Sequence, residues 1–600
     1  LPSLCNPSDW SYVAEGGKHA IFRYSRRTNN DDFSGHVLRV AKSDLANAAS
    51  SSCSSSPFHP KHDNSDSDVF ELSNTHHDVE MIKFVEEESE AHSTLQTFHS
   101  KIIQPLLGHH YLDLARIVYL PTFCCAQLYH RAIASGSIPS SRLPSWKTGS
   151  SSNNNVVISR GDGEECIIEA ALLRDHTRLS HHPYLLPSSS PESESTVTVL
   201  SVEIKPKAGY ITSSPLVLPD HRCKYDRTRY SLQQELMQMG HVRKGWRRKR
   251  TKAIATGRDD DKQSSYMDNN SKIQQQDQDF TPSNYSPLDL FSSNTIRIQK
   301  AMDDLSQNMQ NNFRVWCNGK QIFGEYETLS DHLCRKILDD IFLDSGNHRG
   351  VHPSSPKTTL LNVITRTVSQ VLERESLLSN MLSMQQLDVI DGDGAVQVYE
   401  RLVRLCEGSY VQAEKTLDDA ATIACDGLVL SGEEGASTDG SHGCLDSSPY
   451  NMPKCNSLEN LLDEIDQFQT HFGTRMEEGL SLDKDVMNAS HDKCIGFVNH
   501  LSKEACVYLL QNWLLSLALC DVSFFVSFRF LLDHEQEVTE EFQSCDHGGI
   551  APCSLQNDNV LPSHAIAVQY EVKVVDCDPK PAKKLRGRGV VESKFKYINK

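Results

Sequence analysis

No Cys-x-x-Cys pair occurs among the 18 cysteines of this 600-residue chain, and the cysteines are scattered rather than regularly spaced. The residues that follow Leu1 show no secretory signal. Disulfide frameworks are typical of small secreted domains with regular cysteine spacing, and this chain fits that class less well than the class of proteins with reduced thiols. We therefore expect reduced thiols and a location in the cytoplasm, the nucleus or both.

Hydrophobic residues are also scarce. They make up 38% of the chain, against about 45–50% in typical soluble proteins. Many of the polar residues fall in blocks of Ser, Asn, Gln and Asp that cannot bury a core. These blocks predict flexible inserts at 45–78, 148–158, 240–284 and 426–456. Roughly 350–400 residues remain for structured domains.

Positive charge is in deficit, because 60 Lys and Arg face 79 Asp and Glu for a net charge of −19. An acidic chain of this kind is not a general nucleic-acid coat. The densest basic run, 242–252, is open to three interpretations: a nuclear-import signal, a nucleic-acid patch, or a solvated face of an insert. We favour the last and expect no specific nucleic-acid partner. A polyanion would have to bind in a local basic pocket.

One apolar run, 507–532, has the length of a membrane span. It contains Gln511, Asn512, Asp521 and Arg529, and Asp or Arg near the centre of a span costs about 2.5–3.5 kcal/mol each. Its first half has the composition of a buried helix, and its second half is rich in Val and Phe, as strands are. We therefore predict a helix, a junction at Asp521 and a strand, with no membrane partner.

The clearest strand, 196–207, carries Glu203, Lys205 and Lys207 on one face, because side chains alternate along a strand. Pro206 lacks an N–H group, so strand pairing stops there. Two ammonium groups beside a carboxylate form a platform that suits an anionic ligand. A solvated edge strand is the alternative interpretation.

Two aspartates and a glycine turn extend this pattern. Asp576 ends the alternating strand 568–575 and is followed by several Lys and Arg, which suits a Mg²⁺–phosphate site or, alternatively, a charged tail. Asp521 at a buried junction is costly unless it is paired, functional or capping its neighbour. The Gly16-Gly17 turn lets backbone N–H groups approach a phosphate, although ordinary hairpin turns look alike. Together these features indicate phosphoryl transfer to a polyanionic substrate.

These residues lie within strings that resemble the inositol-pentakisphosphate 2-kinases, which make inositol hexakisphosphate from ATP and inositol pentakisphosphate. The E-x-K-P-K string of that family stands at 203–207 and is followed by Ala208 and Gly209. Further strings follow the family's order across nearly the whole chain: W-x-Y-x-x-E-G-G from Trp10, I-x-P-L-L-G ending at Gly108, ALLRDHT from Ala171, SPLDLFS from Ser286, QNNFRV from Gln310 and VVDCDPKP from Val574.

The resemblance implies an α/β fold, the two-lobed inositol phosphate kinase fold that is distantly similar to protein kinases, with ATP between the lobes. We assign 1–175 to the N-terminal lobe and 176–600 to the C-terminal lobe, which would bind inositol phosphate and carry the catalytic residues. The implied activity is ATP- and Mg²⁺-dependent phosphorylation of the 2-hydroxyl of inositol 1,3,4,5,6-pentakisphosphate. We expect a monomer.

The resemblance also implies roles for individual residues. Asp521 resembles the catalytic base, with Lys205 beside it, and Asp576 resembles the Mg²⁺ ligand. The residues implied in ATP binding are Gly16, Gly17, Lys18, His19, Arg39, Arg174, Asp175, His176, Arg314 and Asp576. The residues implied in substrate binding are Lys147, Glu203, Lys205, Lys207, Asn311, Asn312, Asp521, Lys580, Lys584 and Lys594.

Some substrate-binding positions depart from the family pattern. A family arginine appears as Lys147, a family lysine as Met237 and a family tyrosine as Lys594. These departures motivate a second hypothesis, an inositol-phosphate-binding protein with weakened catalysis. A third is a nuclear nucleic-acid-binding protein that uses 242–252.

The resemblance also bears on zinc, because plant members of the family carry a zinc site. Gln397 stands at its first histidine position, Cys406 is retained, and Ser409 stands where the second cysteine is expected. We therefore predict no zinc site and expect the surrounding helices to be held by packing.

Overall fold

The computed structural model describes residues 6–15, 19–25, 33, 35–52, 96–136, 138, 167–179, 198–211, 213–218, 285–309, 311–324, 327–342, 355–430, 450–478, 480, 482–531, 549–554 and 565–586. Of the inserts that the sequence predicts, those at 148–158 and 240–284 lie outside these residues. The chain divides into two compact units: residues 1–96 with 113–182, and residues 97–112 with 183–600.

The first unit is built on a five-stranded antiparallel sheet. Its strands are β1 Trp10–Glu15, β2 His19–Tyr24, β3 His36–Ala41, β4 Arg116–Pro121 and β5 Ile167–Arg174, in the spatial order β1-β2-β3-β5-β4. Burial alternates along β2, as expected where one face of a sheet packs on a core. The helices are α1 Lys42–Ser52 and α2 Thr122–Ala134, and a 3₁₀ turn spans Pro7–Asp9.

Helix α1 corrects the prediction that 45–78 is a flexible insert. Leu45, Ala46, Ala48 and Ala49 are buried, and α1 packs against α2. The Ala- and Ser-rich composition indicated low complexity, but Ala is the strongest helix former, and these four positions share one helix face. The rest of this insert, from residue 53, lies outside the described residues.

The second unit contains a six-stranded antiparallel sheet and most of the helices. The strands are β6 Leu200–Ile204, β7 Phe313–Cys317, β8 Lys320–Phe323, β9 Ser523–Phe530, β10 Gly549–Ser554 and β11 Ala565–Val575, in the order β10-β11-β9-β6-β7-β8. The longer helices are α3 Thr295–Gln307, α4 Asp331–Phe342, α5 Pro356–Arg374, α6 Leu377–Gln385, α7 Asp391–Leu405, α8 Tyr410–Leu430, α9 Asn456–Glu477, α10 Lys484–His500 and α11 Lys503–Leu519. One-turn helices span Gln104–Leu107 and Pro287–Leu290, a π-helical turn spans His99–Ile103, and a 3₁₀ turn spans His109–Tyr111.

The expectation of a mixed helix-and-sheet fold is confirmed, and both sheets are antiparallel. Helix α11 and strand β9 confirm the predicted helix, junction and strand in the run 507–532. A search of the described residues finds no helix that is both long and apolar enough to cross a membrane. The insert predicted at 426–456 is partly wrong, because 426–430 continue α8 and 450–456 are also described.

The segment 97–112 groups with the second unit, whereas the sequence-based division at residue 175 places it in the N-terminal lobe. Its side chains Ile102, Ile103 and Leu107 are fully buried in the core cluster of the six-stranded sheet. Asn380 Nδ2 also donates a hydrogen bond to the Leu107 carbonyl at 2.9 Å. No sequence pattern around 97–112 indicated that the chain joins the second unit there and returns to the first unit at residue 113.

Candidate functional site

Four neighbouring strands of the six-stranded sheet end or begin at the same edge. Ile204, the last residue of β6, pairs with Phe313 at the start of β7 and with Phe524 near the start of β9. Ser523 in turn pairs with Val575, the last residue of β11. The candidate residues that flank these strand ends are Lys205, Lys207, Asn311, Asn312, Asp521 and Asp576. The sheet order therefore brings segments from distant parts of the sequence to one edge.

Asp521 and Lys580 form an ion pair at this edge. Lys580 Nζ lies 3.0 Å from Asp521 Oδ2, and the Asp521 side chain is 57% exposed. Burial alone would raise the pKa of Asp521, but the hydrogen bond and charge of Lys580 and the charges of Lys207 and Lys584 lower it below its ordinary value. The carboxylate is therefore held ionised among three cations.

Partial burial and an unusual backbone conformation constrain Lys207. Burial lowers the pKa of its ammonium group, as does the nearby charge of Lys205, while Asp521 acts in the opposite direction. Its backbone has φ +65°, a left-handed conformation that non-glycine residues adopt at a cost. Such strain persists where the surroundings hold it, and it is common at functional sites.

The backbone of the E-x-K-P-K segment is fixed from several sides. Lys205 N–H donates to the Asn312 carbonyl at 2.9 Å, and the buried Tyr285 hydroxyl donates to the Pro206 carbonyl at 2.8 Å. A Cβ atom on Gly209 would lie 2.4 Å from the Phe291 ring. The family strings around these residues therefore contact one another directly. Sequence reasoning missed Tyr285, whose only signal was its place next to the SPLDLFS string.

Glu203, in strand β6, is buried, with 8% exposure. Arg314 Nη1 donates to Glu203 Oε2 at 2.9 Å, and the Ser523 hydroxyl donates to Oε1 at 3.2 Å. The carboxylate is therefore neutralised by the neighbouring strand. Arg314, expected at an ATP phosphate, is in this structure the ion-pair partner of Glu203.

The two asparagines before β7 differ in environment. Asn311 is exposed, whereas Asn312 is 5% exposed. The side-chain oxygen of Asn312 is buried and has no hydrogen-bond partner among the described residues. Buried acceptors without a partner are rare in native structures, and a functional role, a bound water or an ion can account for one.

Asp576 is the residue expected to hold Mg²⁺. It is exposed, has φ +63°, and follows the last residue of β11, with Asp578 two residues on. Within the described residues no three or more His, Cys, Asp or Glu side chains are grouped as a metal cage. Mg²⁺ in kinase sites is commonly held by one or two carboxylates together with substrate phosphates, and Asp576 fits that donor set.

The candidate ATP residues of the first unit make contacts within that unit. Arg39 Nη2 lies 3.1 Å from His19 Nδ1. The Asp175 carboxylate is buried and accepts hydrogen bonds from Arg23 and Thr177, which leaves little of it for a ligand.

Arg174 Nε and His176 Nδ1 each lie 4.0 Å from Asp113 Oδ2. Gly16, Gly17, Lys18, Lys147 and Lys594 are outside the described residues. The ATP-binding roles therefore stay predictions.

The positions that correspond to the plant zinc site lie among helices. Gln397 Nε2 donates to the Leu216 carbonyl at 2.9 Å, and Cys406 Sγ lies 4.0 Å from the Thr416 hydroxyl. An apolar cluster that includes Leu402 and Leu461 packs these helices together.

The sequence matches the inositol-pentakisphosphate 2-kinase family over residues 12–594. It is 25% identical over 239 residues to the rice proteins named "Inositol-pentakisphosphate 2-kinase IPK1" of Oryza sativa subsp. indica and subsp. japonica, covering 39% of this chain and 40% of theirs. It is 23% identical over 430 residues to the inositol-pentakisphosphate 2-kinase of Arabidopsis thaliana, covering 68% of this chain and 74% of that protein. The aligned region thus spans about two fifths of the rice relatives. On the extent of the family match, the chain belongs to the inositol-pentakisphosphate 2-kinase family.

Proposed function

We propose that the protein transfers the γ-phosphoryl group of ATP to the 2-hydroxyl of inositol 1,3,4,5,6-pentakisphosphate, which gives inositol hexakisphosphate. Membership of the family supports a kinase. The observation that carries the proposal is an ionised Asp521 among Lys207, Lys580 and Lys584. It combines a base with cations at one sheet edge.

The charge of the substrate explains why several cations are needed. Five phosphates carry roughly −7 to −10 charges near neutral pH, at about −1.5 to −2 each. Lys205 and Lys207 follow the end of β6, at the sheet edge where Asp521 lies. Lys580 contacts Asp521 directly. Binding should therefore weaken as salt rises, since exposed charge pairs are screened.

Asp521 is proposed as the general base. Its lowered pKa keeps it ionised before substrate binds, so it can accept the proton of the attacking hydroxyl as the new bond to the γ-phosphorus forms and the γ-phosphorus–oxygen bond to ADP breaks. Asp521 Oδ2 exchanges its contact with Lys580 for the substrate hydroxyl, and Lys580 is then available to a substrate phosphate. Lys207 and Lys205 hold neighbouring phosphates and so orient the ring.

Asp576 is proposed to hold Mg²⁺, which when bound neutralises charge on the transferred phosphoryl group. ATP is proposed to contact the glycine turn with His19 and Arg39 in the first unit. We also propose that the fold is distantly similar to that of protein kinases.

The proposal is tested by product identification. Purified protein is incubated with MgATP and inositol pentakisphosphate, and the products are separated by anion-exchange chromatography. Wild type should form hexakisphosphate. Asp521→Asn keeps the side-chain shape but removes the base, so kcat should fall by about 10²–10⁴-fold, while Asp466→Asn, at an exposed position of α9, should match wild type.

Two results would argue against this function. Hexakisphosphate formation by Asp521→Asn at the wild-type rate would show that Asp521 is not the general base. Salt-sensitive binding of inositol phosphates by wild type with no ATP turnover would favour the binding protein with weakened catalysis.

A further inference from the structure

Gln385, the last residue of α6, links the lysine-bearing segment to the helix that precedes Asp521. Its side chain is fully buried. Its Oε1 atom accepts a hydrogen bond from Gly209 N–H at 2.7 Å. Its Nε2 atom donates to the Lys207 carbonyl at 3.0 Å and to the Leu519 carbonyl at 3.2 Å. One amide group therefore joins two segments that carry the proposed catalytic groups.

On the lysine side, the amide spans the strained residue. Lys207 has φ +65°, and Gln385 bonds the carbonyl of Lys207 and the N–H of Gly209. Both ends of the turn are thus fixed by one rigid group. A conformation that costs energy persists when the surroundings over-determine it in this way.

On the aspartate side, the same amide ends a helix. Leu519 is the last residue of α11, and its carbonyl is among those that a helix leaves without an internal partner. The Ser516 hydroxyl also donates to the Gln385 carbonyl at 2.7 Å. Asp521 stands two residues beyond Leu519, so the position of the end of α11 determines the position of the Asp521 carboxylate.

We propose that Gln385 is a positioning residue for phosphoryl transfer, whose amide fixes Lys207 relative to Asp521. This inference rests on the proposed function. An amide suits the task because it offers an acceptor for Gly209 and two N–H donors for the two carbonyls. An ionised Glu would face both carbonyls without a donor, and a Met of similar size would leave all three groups unpaired.

The test compares Gln385→Met with Gln511→Met. Gln511 lies in α11, is 5% exposed, and donates to the Leu417 carbonyl at 3.1 Å, away from the lysine segment. Both variants lose a buried amide, so both should be less stable. Because small misplacements of reacting groups cost much rate, kcat of Gln385→Met should fall at least about tenfold below that of Gln511→Met at equal folded protein. The Kd for inositol hexakisphosphate should rise by a smaller factor than the factor by which kcat falls.

Hydrogen exchange supplies a readout that does not require turnover. The Gly209 amide and the peptide 519–522 should exchange at least about tenfold faster in Gln385→Met than in Gln511→Met, because the amide loses its acceptor and the helix end its donor. If Gln385→Met does not fold, Gln385→Asn replaces it, since it keeps the amide but is one methylene too short.

The outcomes separate the inference from the proposed function. Equal kcat values in the Gln385 and Gln511 variants would overturn the positioning role in an active kinase. If wild type makes no hexakisphosphate, the proposed function fails, and the exchange experiment still decides whether Gln385 fixes the two segments. Unchanged exchange at Gly209 would overturn the inference in either case.

Discussion

Ser523, the first residue of β9, pairs with Val575, the last residue of β11. The two strands are antiparallel, so the chain enters one where it leaves the other. Asp521 precedes the first strand end and Asp576 follows the second. Backbone pairing alone thus places both aspartates at one edge of the sheet. Strand β6 ends at the same edge, and Lys205 and Lys207 follow it there.

The ion pair between Lys580 and Asp521 predicts a change in the pH profile. Lys580 lowers the pKa of Asp521, and burial raises it. The proposed base must be ionised, so kcat/KM falls as the pH drops through its pKa in the free enzyme, where Lys580 contacts it. Lys580→Met removes the largest stabilising partner, which raises that pKa and moves the acid limb of kcat/KM to higher pH. The measurement is kcat/KM from about pH 4 to 8, because kcat reports the substrate complex, in which Lys580 is proposed to have left Asp521.

Lys493→Met is the matched control for this shift. Lys493 pairs with Glu464 between α10 and α9, in the same unit. Substrate phosphates titrate identically in both variants, so any common change is discounted. An acid limb that stays in place in Lys580→Met, or moves equally in Lys493→Met, would contradict the role given to Lys580.

Gly209 predicts a steric effect on the lysine segment. Gly209→Ala would place a Cβ atom 2.4 Å from the Phe291 ring in a buried contact. Overpacking of this kind typically costs about 1–3 kcal/mol, and the shift should reduce activity because Lys207 is two residues away. The free energy of unfolding from urea titration and the hexakisphosphate-forming rate are the measurements.

Gly473→Ala provides the opposite expectation. Gly473 lies inside α9, and a Cβ atom there meets no atom within 4 Å. The substitution should stabilise the helix by up to about 1 kcal/mol and leave activity unchanged. Adding Phe291→Leu to Gly209→Ala should recover part of the lost stability. Equal effects of the two alanines would mean that the Gly209 contact is not tight.

The sequence predicted the local parts of the site better than their arrangement. Alternation identified strand β6, but the strand is Leu200–Ile204 and not 196–207, so Lys205 and Lys207 lie in the segment after it and do not alternate along it. The change of composition placed Asp521 between a helix and a strand. Pairing between strands that are far apart in sequence leaves no local pattern. The sequence therefore could not predict that β6, β7, β9 and β11 end or begin at one edge. Gln385 also gave no signal, because its role depends on three backbone groups that meet only after folding.

Tyr111 predicts how firmly the segment 97–112 is held in the second unit. Its buried hydroxyl donates to Glu375 Oε2 at 2.5 Å. Tyr111→Phe removes a hydrogen bond to a charged group, which should cost about 1.5–3 kcal/mol in urea unfolding. Tyr508→Phe is the control, because the Tyr508 hydroxyl makes no hydrogen bond to a described residue.

The same residue predicts the pH dependence of that cost. Burial and the Glu375 hydrogen bond raise the pKa of Tyr111 above its ordinary value. A group whose pKa rises on folding contributes stability below its unfolded pKa, near 10, and loses it as the pH rises further. The difference between wild type and Tyr111→Phe should therefore shrink above about pH 10. A cost equal to that of Tyr508→Phe at pH 7 would contradict this account.

Cys455 and Cys506 predict a difference in thiol reactivity. Cys455 stands at the start of α9; partial burial raises its pKa, but hydrogen bonds from the Ser502, Leu458 and Ser457 backbones lower it below the ordinary value. Burial raises the pKa of Cys506 to about 12. Because the thiolate is the nucleophile, iodoacetamide near neutral pH should label Cys455 at least about tenfold faster, as measured by peptide mass spectrometry.

Two controls test the cause of this difference. In denaturant both thiols should react at similar rates, because the fold no longer separates their environments. Ser502→Ala removes a side-chain hydrogen bond to Cys455, so it should slow labelling of Cys455. The Ser502 hydroxyl also accepts from Ala505 N–H at the start of α11, so labelling of Cys506 should not slow in the same variant. Labelling of Cys506 as fast as Cys455 in the folded protein would show that the core around α11 opens more readily than its burial indicates.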